Sequence, residues 1–310
     1  MGKIFQGIEE IIGHASKSLY TLEAYDDEKH IGGAKVLTDN EAWTLLYDVN
    51  VLPEYDEEGV AGKLIERVKN RFQGHEIFSY TDVDTLSLYE EHGFKRSKNA
   101  FTYAGENDEA IDSGLLDKGF FLPIGYRYET EFYPVVGDFP EGKKSSIDRS
   151  KITMRYEYGT EYADYLRINE ILSIAFGGHE RDVNVTKRTF EESQHVVLAF
   201  ANDILVGCAR ALSDGVSQGF ILNVATDPEY QGLHIGMEVV RRLAEKMPGQ
   251  NIFLNTHPGG VGFYNRRPFR RNKTALLYPS NPDMPIEIEK EFVLPKGYRF
   301  SDEIQEEDHE

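Results

Sequence analysis

A second cysteine is missing from this chain of 310 residues. Cys208 stands alone, so no intramolecular disulfide forms and nothing points to an oxidising compartment. No apolar run reaches the roughly 18 residues that a membrane-spanning helix needs. Residues 1–18 carry a helical pattern interrupted by Glu9 and Glu10 rather than the apolar core of a signal peptide. The Met-Gly start lacks the Ser or Thr that a myristoylation signal prefers at the sixth position. A soluble, cytoplasmic protein is expected. Positive charge is also scarce, with 34 Lys and Arg against 53 Asp and Glu for a net charge of −19. Such a surface repels phosphate backbones and anionic lipids, so no nucleic acid and no membrane partner is expected, whereas cations and amines are drawn in. The nine histidines are scattered without metal-ligand spacing, so no metal is expected. What remains is an ordinary globular composition, 40% hydrophobic and 28% charged, at a length that suits two domains.

The chain repeats itself. Shifted by 175 residues, positions 22–103 lie on 197–278 without a gap, and 20 of the 82 positions are identical, against roughly five by chance. Gly32, Ala34, Leu37 and Asp39 meet Gly207, Ala209, Leu212 and Asp214, and Pro53-Glu54-Tyr55 meets Pro228-Glu229-Tyr230. Ile77-Phe78 falls on Ile252-Phe253, Tyr89 on Tyr264 and Phe94 on Phe269. A run of this length without a gap is a tandem duplication.

Periodicity gives the second copy the order βααβββαβαββ. Its opening strand is expected at Ile152–Tyr158, with helices at Ala163–Phe176 and Asn184–Glu192. A hairpin follows at His195–Ala201 and Ile204–Leu212, then a strand at Phe220–Thr226 and a helix at Gly236–Met247. The last elements are Asn251–Thr256, a short helix at Val261–Arg267, and strands at Thr274–Tyr278 and Lys290–Leu294. In the first copy the opening strand would precede residue 1, so that strand and at least one opening helix are expected to be lacking. Tyr126–Val136 is a candidate to cover the exposed edge, because unpaired edges aggregate. Domains are therefore expected at 1–136 and 151–300, with a polar linker at 137–150 and an acidic tail at 301–310. Cys208 and Trp43 read as packing residues.

The sharpest local signal joins strand to helix at Phe220–Leu243. After Asp227-Pro228-Glu229-Tyr230 the chain runs Gln231-Gly232-Leu233-His234-Ile235-Gly236 into a helix. A glycine-bearing loop that opens a helix aims backbone N–H groups and the positive dipole end at an anion such as a pyrophosphate. The loop is neither a Walker sequence nor G-x-G-x-x-G. The same place in the first copy reads Asp56-Glu57-Glu58-Gly59-Val60-Ala61, three carboxylates where the anion would dock.

This order, together with that loop and the pair Tyr89-Glu90-Glu91-His92-Gly93-Phe94 and Tyr264-Asn265-Arg266-Arg267-Pro268-Phe269, resembles the GNAT family of N-acetyltransferases. The resemblance covers 18–135 and 151–300. It implies an α+β fold of two tandem units, each a mixed sheet flanked by helices, and acetyl-CoA as co-substrate for transfer to a primary amine, of a small molecule or a protein. It places acetyl-CoA on the second unit, against Val224, Ala225 and Thr226 and on Gln231, Gly232, Leu233, His234, Ile235 and Gly236. Arg270 and Arg271 would anchor its nucleotide phosphates. Tyr264 would be the general acid toward the departing thiolate, since a phenol of pKa about 10 suits a thiol of pKa about 8.5. His257 and Glu229 are the candidate bases. His234 replaces a usual glycine, which is harmless if that position is helical. The acidic surface suits a cationic acceptor. The alternative is a degenerate unit that serves as a coenzyme A-binding or scaffold module.

Overall fold

The computed structural model describes residues 7–12, 18–103, 149–176, 181–257, 260–264, 269–272 and 274–280. In the first copy these form strands β1 (Gly7–Ile12), β2 (Leu19–Asp26), β3 (Lys29–Thr38) and β4 (Trp43–Val51), and then helix α1 (Val60–Arg71). Strand β5 (Glu76–Tyr80), helix α2 (Leu86–Glu91) and strands β6 (Lys95–Arg96) and β7 (Ala100–Tyr103) follow. The second copy begins with β8 (Met154–Tyr158), helices α3 (Tyr165–Ala175) and α4 (Val183–Glu191), and strands β9 (His195–Ala201), β10 (Ile204–Ser213) and β11 (Gln218–Thr226). It ends with α5 (Ile235–Glu245), β12 (Asn251–Asn255), α6 (Val261–Tyr264), β13 (Phe269–Arg271) and β14 (Ala275–Tyr278). The expected linker at 137–150 falls almost wholly outside the described residues, and Tyr126–Val136, Lys290–Leu294 and the tail 301–310 lie entirely outside them. No helix among the described residues is long and apolar enough to cross a membrane.

The strands make two mixed seven-stranded sheets, ordered β1-β2-β3-β4-β5-β14-β6 and β13-β7-β12-β11-β10-β9-β8. Each sheet thus contains one strand from the other copy. β14 pairs with β5, Ala275 opposite Tyr80 and Tyr278 opposite Ile77. β7 pairs with β12, Ala100 opposite Asn255 and Tyr103 opposite Ile252. The two exchanged strands are counterparts at the 175-residue shift, so the exchange is reciprocal. A shared core lies between the sheets, where Leu37, Leu45, Phe78 and Ala100 meet Leu212, Phe220, Phe253 and Ala275, the same positions of the two repeats.

One expectation about the first copy is corrected: residues 7–12 are not helical. They form the cover that the sheet edge was expected to need in place of an opening strand, β1 running antiparallel to β2, Gly7 opposite Tyr25 and Ile12 opposite Tyr20. The open backbone groups of β2 need a partner, and that tertiary demand outweighs a short helical pattern. Counterparts of α3 and α4 are missing among the described residues, and the sheet face says why. In the second copy Val196, Leu198 and Phe200 are buried beneath Ile168, Ile171 and Phe190. At the matching places the first copy has Thr21, Glu23 and Tyr25, a surface that needs no helical cover.

In the second copy the expected helices and strands from Ile152 to Tyr278 are found, with β13 in addition. α5 buries Ile235, Val239, Val240 and Leu243 on one face, and it lies close because β10 offers Gly207, Ala209 and Ala211 beneath it. A Cβ at Gly207 would stand 2.8 Å from the Ile235 side chain. Both parallel pairs stop short. β11 follows β12 only from Gln218 to Ile221, and β4 follows β5 only from Trp43 to Leu46. Just beyond each stop a residue takes a positive φ, Asn223 at 53° and Asp48 at 55°. The strands diverge there, and a cleft opens in each sheet.

Candidate functional site

The second cleft is bounded on one side by the end of β11. Val224, Ala225 and Thr226 continue past the last pairing with β12, so their backbone edge toward that strand has no ladder partner, a place where an extended ligand can add itself as a strand would. Asp227 closes β11 and orders the next turn, its Oδ1 accepting from the Glu229 amide at 2.9 Å. Its other oxygen pairs with Arg167 of α3. Glu229 is exposed on this turn, and Gln231, Gly232 and His234 are exposed on the loop that follows.

The entrance to α5 differs from its neighbours. Helices α3 and α4 carry side-chain caps, Asp164 accepting from the Arg167 amide at 3.1 Å and Asp182 from the Asn184 amide at 2.8 Å. No side chain caps α5, so its first N–H groups remain open to a ligand. His234, at the cap, has φ 59°, and its counterpart Gly59 has φ 69°. The position is therefore left-handed in both repeats, not helical. The expectation that histidine is harmless there is corrected: it holds a conformation that costs an L-residue about 1–2 kcal/mol. Gly236 stands where the helix presses on α6, and a Cβ there would lie 3.3 Å from the Phe263 ring.

Tyr264 ends α6 and is buried against three rings, Phe263 at 4.8 Å, Phe269 at 4.9 Å and Phe101 at 5.7 Å. Phe101 comes from the exchanged strand β7, so the first copy helps to hold this tyrosine. Burial pushes its pKa up, which keeps the phenol protonated, and among the described residues nothing hydrogen-bonds its hydroxyl. Tyr89 differs. Burial pushes it up to about 12, with the nearby Ser79 and Thr81 hydroxyls pulling the other way. His257 is exposed just beyond β12, and its carbonyl accepts from the Gly260 amide at 2.8 Å in the turn that starts α6.

Arg270 and Arg271 do not join this group. They lie in β13, paired with β7, and are 3% and 2% exposed. Arg271 donates to the Lys98 carbonyl at 2.6 Å. Arg271 thus serves the seam between the copies, and neither buried guanidinium stands open to an exposed phosphate.

A cavity of about 240 Å³ opens between the two units, lined by Asp39 and Trp43 of the first and by Arg181, Thr186, Arg210 and Asn223 of the second. Asn223 is the residue at which β11 turns away from β12, so the cavity adjoins the cleft. Arg210 reaches Asp39 at 2.7 Å, both side chains 1% exposed, and donates from Nε to Asn223 Oδ1 at 2.5 Å. Burial works to raise the Asp39 pKa, but the Arg210 charge and the amides of Ala42 and Trp43 outweigh it and hold the carboxyl below its ordinary value. None of the five polar residues Asp39, Arg181, Thr186, Arg210 and Asn223 stood out as a site in the sequence. Arg210 gave the one usable signal, a charge inside the apolar strand Ile204–Ser213, which has to find a buried partner. A wider hollow of about 420 Å³ on the first unit includes Glu66, Lys69 and His92, but these groups satisfy one another, Glu66 meeting Lys69 at 2.6 Å and His92 at 3.0 Å.

Two family matches fall on this geometry. Residues 165–269 match the Acetyltransferase (GNAT) family and residues 17–96 the Acetyltransferase (GNAT) domain, together more than half of the chain. Serotonin N-acetyltransferase 2, chloroplastic, of Oryza sativa subsp. japonica is 31% identical over 116 residues, 35% of this chain and 58% of that protein. An uncharacterized N-acetyltransferase of Pyropia yezoensis is 34% identical over 86 residues, 26% of this chain and 49% of that protein. The chain thus spans about half the length of these curated relatives. Among solved structures, an N-acetyltransferase from Sphaerobacter thermophilus aligns with TM-score 0.44 at 14% identity, over 87% of this chain and 83% of that one. A tandem GNAT protein from the clavulanic acid biosynthesis pathway aligns with TM-score 0.43 at 11% identity, over 87% and 86%.

Proposed function

This chain belongs to the GNAT acetyltransferase family, as two tandem units, and from that premise we propose that its second unit transfers an acetyl group from acetyl-CoA to a primary amine. The observation that carries the proposal is the contrast between two equivalent cleft entrances. Neither helix has a side-chain cap, but at the second the loop Gln231–Gly236 carries no carboxylate. At the first, the same turn carries Asp56, Glu57 and Glu58, whose charges repel a pyrophosphate.

The residues present fit the co-substrate. The uncapped amides at the start of α5 suit the pyrophosphate, the close fit of Gly236 on Phe263 keeps the helix entrance narrow, and the open edge of Val224–Thr226 suits an extended arm. Acetyl-CoA, when bound, supplies the activated acetyl thioester. Tyr264 is the general acid, delivering its hydroxyl proton to the departing sulfur. Glu229 and His257, exposed at the ends of the diverging strands, are the candidate bases for the incoming ammonium. The acidic surface steers cationic amines toward the protein. The first unit, with no counterpart of α3 and α4 among its described residues, is assigned to structure: it supplies β7 and one wall of the cavity.

Turnover of acetyl-CoA with a panel of primary amines, serotonin among them, tests this reading. Tyr264→Phe is expected to lower kcat by roughly 100-fold or more, the range of general acid–base catalysis, with acetyl-CoA affinity unchanged. A variant as active as the wild type removes Tyr264 from the mechanism. Loss in Tyr89→Phe instead moves the chemistry to the first unit.

A further inference from the structure

Resting on the reading that the second unit acetylates an amine, we propose that the acceptor also carries an anionic group, a carboxylate in the simplest case, and that Arg181 holds it inside the cavity between the two units. Of the two arginines that line the cavity, Arg210 is paired with a carboxylate and Arg181 is not. Asp39 is paired with Arg210 at 2.7 Å, and Glu41 with Arg188 at 2.6 Å. Asp182 accepts the Asn184 amide at 2.8 Å as the cap of α4. Arg181 has no carboxylate partner among the described residues. Its guanidinium is half-buried, lies 5.1 Å from the Phe176 ring centre and keeps a buried Nε without a hydrogen-bond partner. Burial and the like charge of Arg210 both press its pKa down, the signature of a cation that still wants an anion.

A half-buried guanidinium without a counter-ion is unfavourable in the empty protein, and its planar fork suits the two oxygens of a carboxylate. The cavity runs from Arg181 to Asn223, at the point where β11 diverges from β12. A molecule anchored at Arg181 therefore lies against the cleft in which transfer would occur. Its volume, about 240 Å³, falls below the roughly 300–1,000 Å³ of drug-sized sites, so it suits an amino-acid-sized molecule rather than a protein segment. The zwitterionic form also reconciles the site with the surface. A free anion is repelled by a protein of net charge −19, whereas an amino acid has no net charge to repel.

The test uses the full chain, acetyl-CoA, the twenty common amino acids, and for each its carboxamide and its decarboxylated amine. The acids are expected to exceed their carboxamides in kcat/KM by roughly 10- to 100-fold, the worth of a charged hydrogen-bonded pair. Arg181→Gln should erase that preference through KM, leaving kcat within about twofold, and Arg181→Lys should restore part of it. Preference for the carboxamides or decarboxylated amines, or a preference that survives Arg181→Gln, overturns the proposal. If acetyl-CoA binds but no amine is turned over, the transferase reading fails and calorimetric titration of the same compounds decides this one. Saturable binding of an acid but not of its carboxamide, lost in Arg181→Gln, sustains it. No saturable binding of any acid overturns it.

Discussion

His234 sits in a left-handed conformation that its counterpart Gly59 adopts without strain. Replacing it with glycine removes that strain but loosens the unfolded chain, so the net gain is modest, about 1 kcal/mol or roughly 2 °C in Tm. His234→Gly should therefore melt higher than the wild type; a lower Tm contradicts the strain. The buried Arg210–Asp39 pair behaves in the opposite sense. Asp39→Asn leaves a buried guanidinium uncompensated and should cost about 3–5 kcal/mol at neutral pH, measured by denaturant unfolding. Because folding lowers the Asp39 pKa, its contribution is complete above the unfolded value of about 3.9 and fades as pH falls below that. Stability profiles of wild type and Asp39→Asn should then converge below about pH 4 and run parallel from pH 5 to 7. Asp39 also shows what the repeat alone could not explain. It and Asp214 are identical at the 175-residue shift because each ties its own turn, Asp39 through the amides of Ala42 and Trp43 at 2.9 Å and Asp214 through those of Val216 and Ser217 at 2.8 Å. Each then reaches the other unit, Asp39 to Arg210 and Asp214 to the Tyr47 hydroxyl at 3.0 Å.

Single elements divide into those whose burial is local and those completed from afar. The strands and helices of the second unit follow their own periodicity, since α5 shows its apolar stripe and β9–β10 their hairpin turn at Asn202-Asp203. Strand β1 escaped that reading because the spacing of Ile4, Ile8, Ile11 and Ile12 is helical, and only the open edge of β2 makes it a strand. Arg270 and Arg271 escaped it for a related reason. Five basic residues within 266–273 look like a solvent-facing anion anchor until β13 is seen to pair with a strand 170 residues earlier. The exchange of β7 and β14 was not legible either, because a strand carries its partner's identity in no local pattern. Phe101 tests the consequence. Phe101→Ala should cost about 3–5 kcal/mol, and by loosening Tyr264 it should lower kcat more than it weakens acetyl-CoA binding. An unchanged kcat in a folded variant would show that the exchanged strand supports the sheet alone.

At the scale of the whole molecule, reciprocal exchange makes the two units one folding entity. Neither sheet is complete without a strand from the other copy, and Leu37, Phe78, Leu212 and Phe253 share one core. Cutting the chain within 137–148 should leave the halves associated on gel filtration, while either half expressed alone should lack a cooperative unfolding transition. An isolated second half that melts cooperatively contradicts this. On the proposed function, one unit carries the chemistry and the other supports it. Calorimetric titration of acetyl-CoA into the full chain, beside a Gly232→Glu/Gly236→Glu variant whose unfolding remains cooperative, tests that division most directly. The expected result is one site per chain, lost in the variant. Two sites, a site that survives the variant, or no binding at millimolar acetyl-CoA would contradict it.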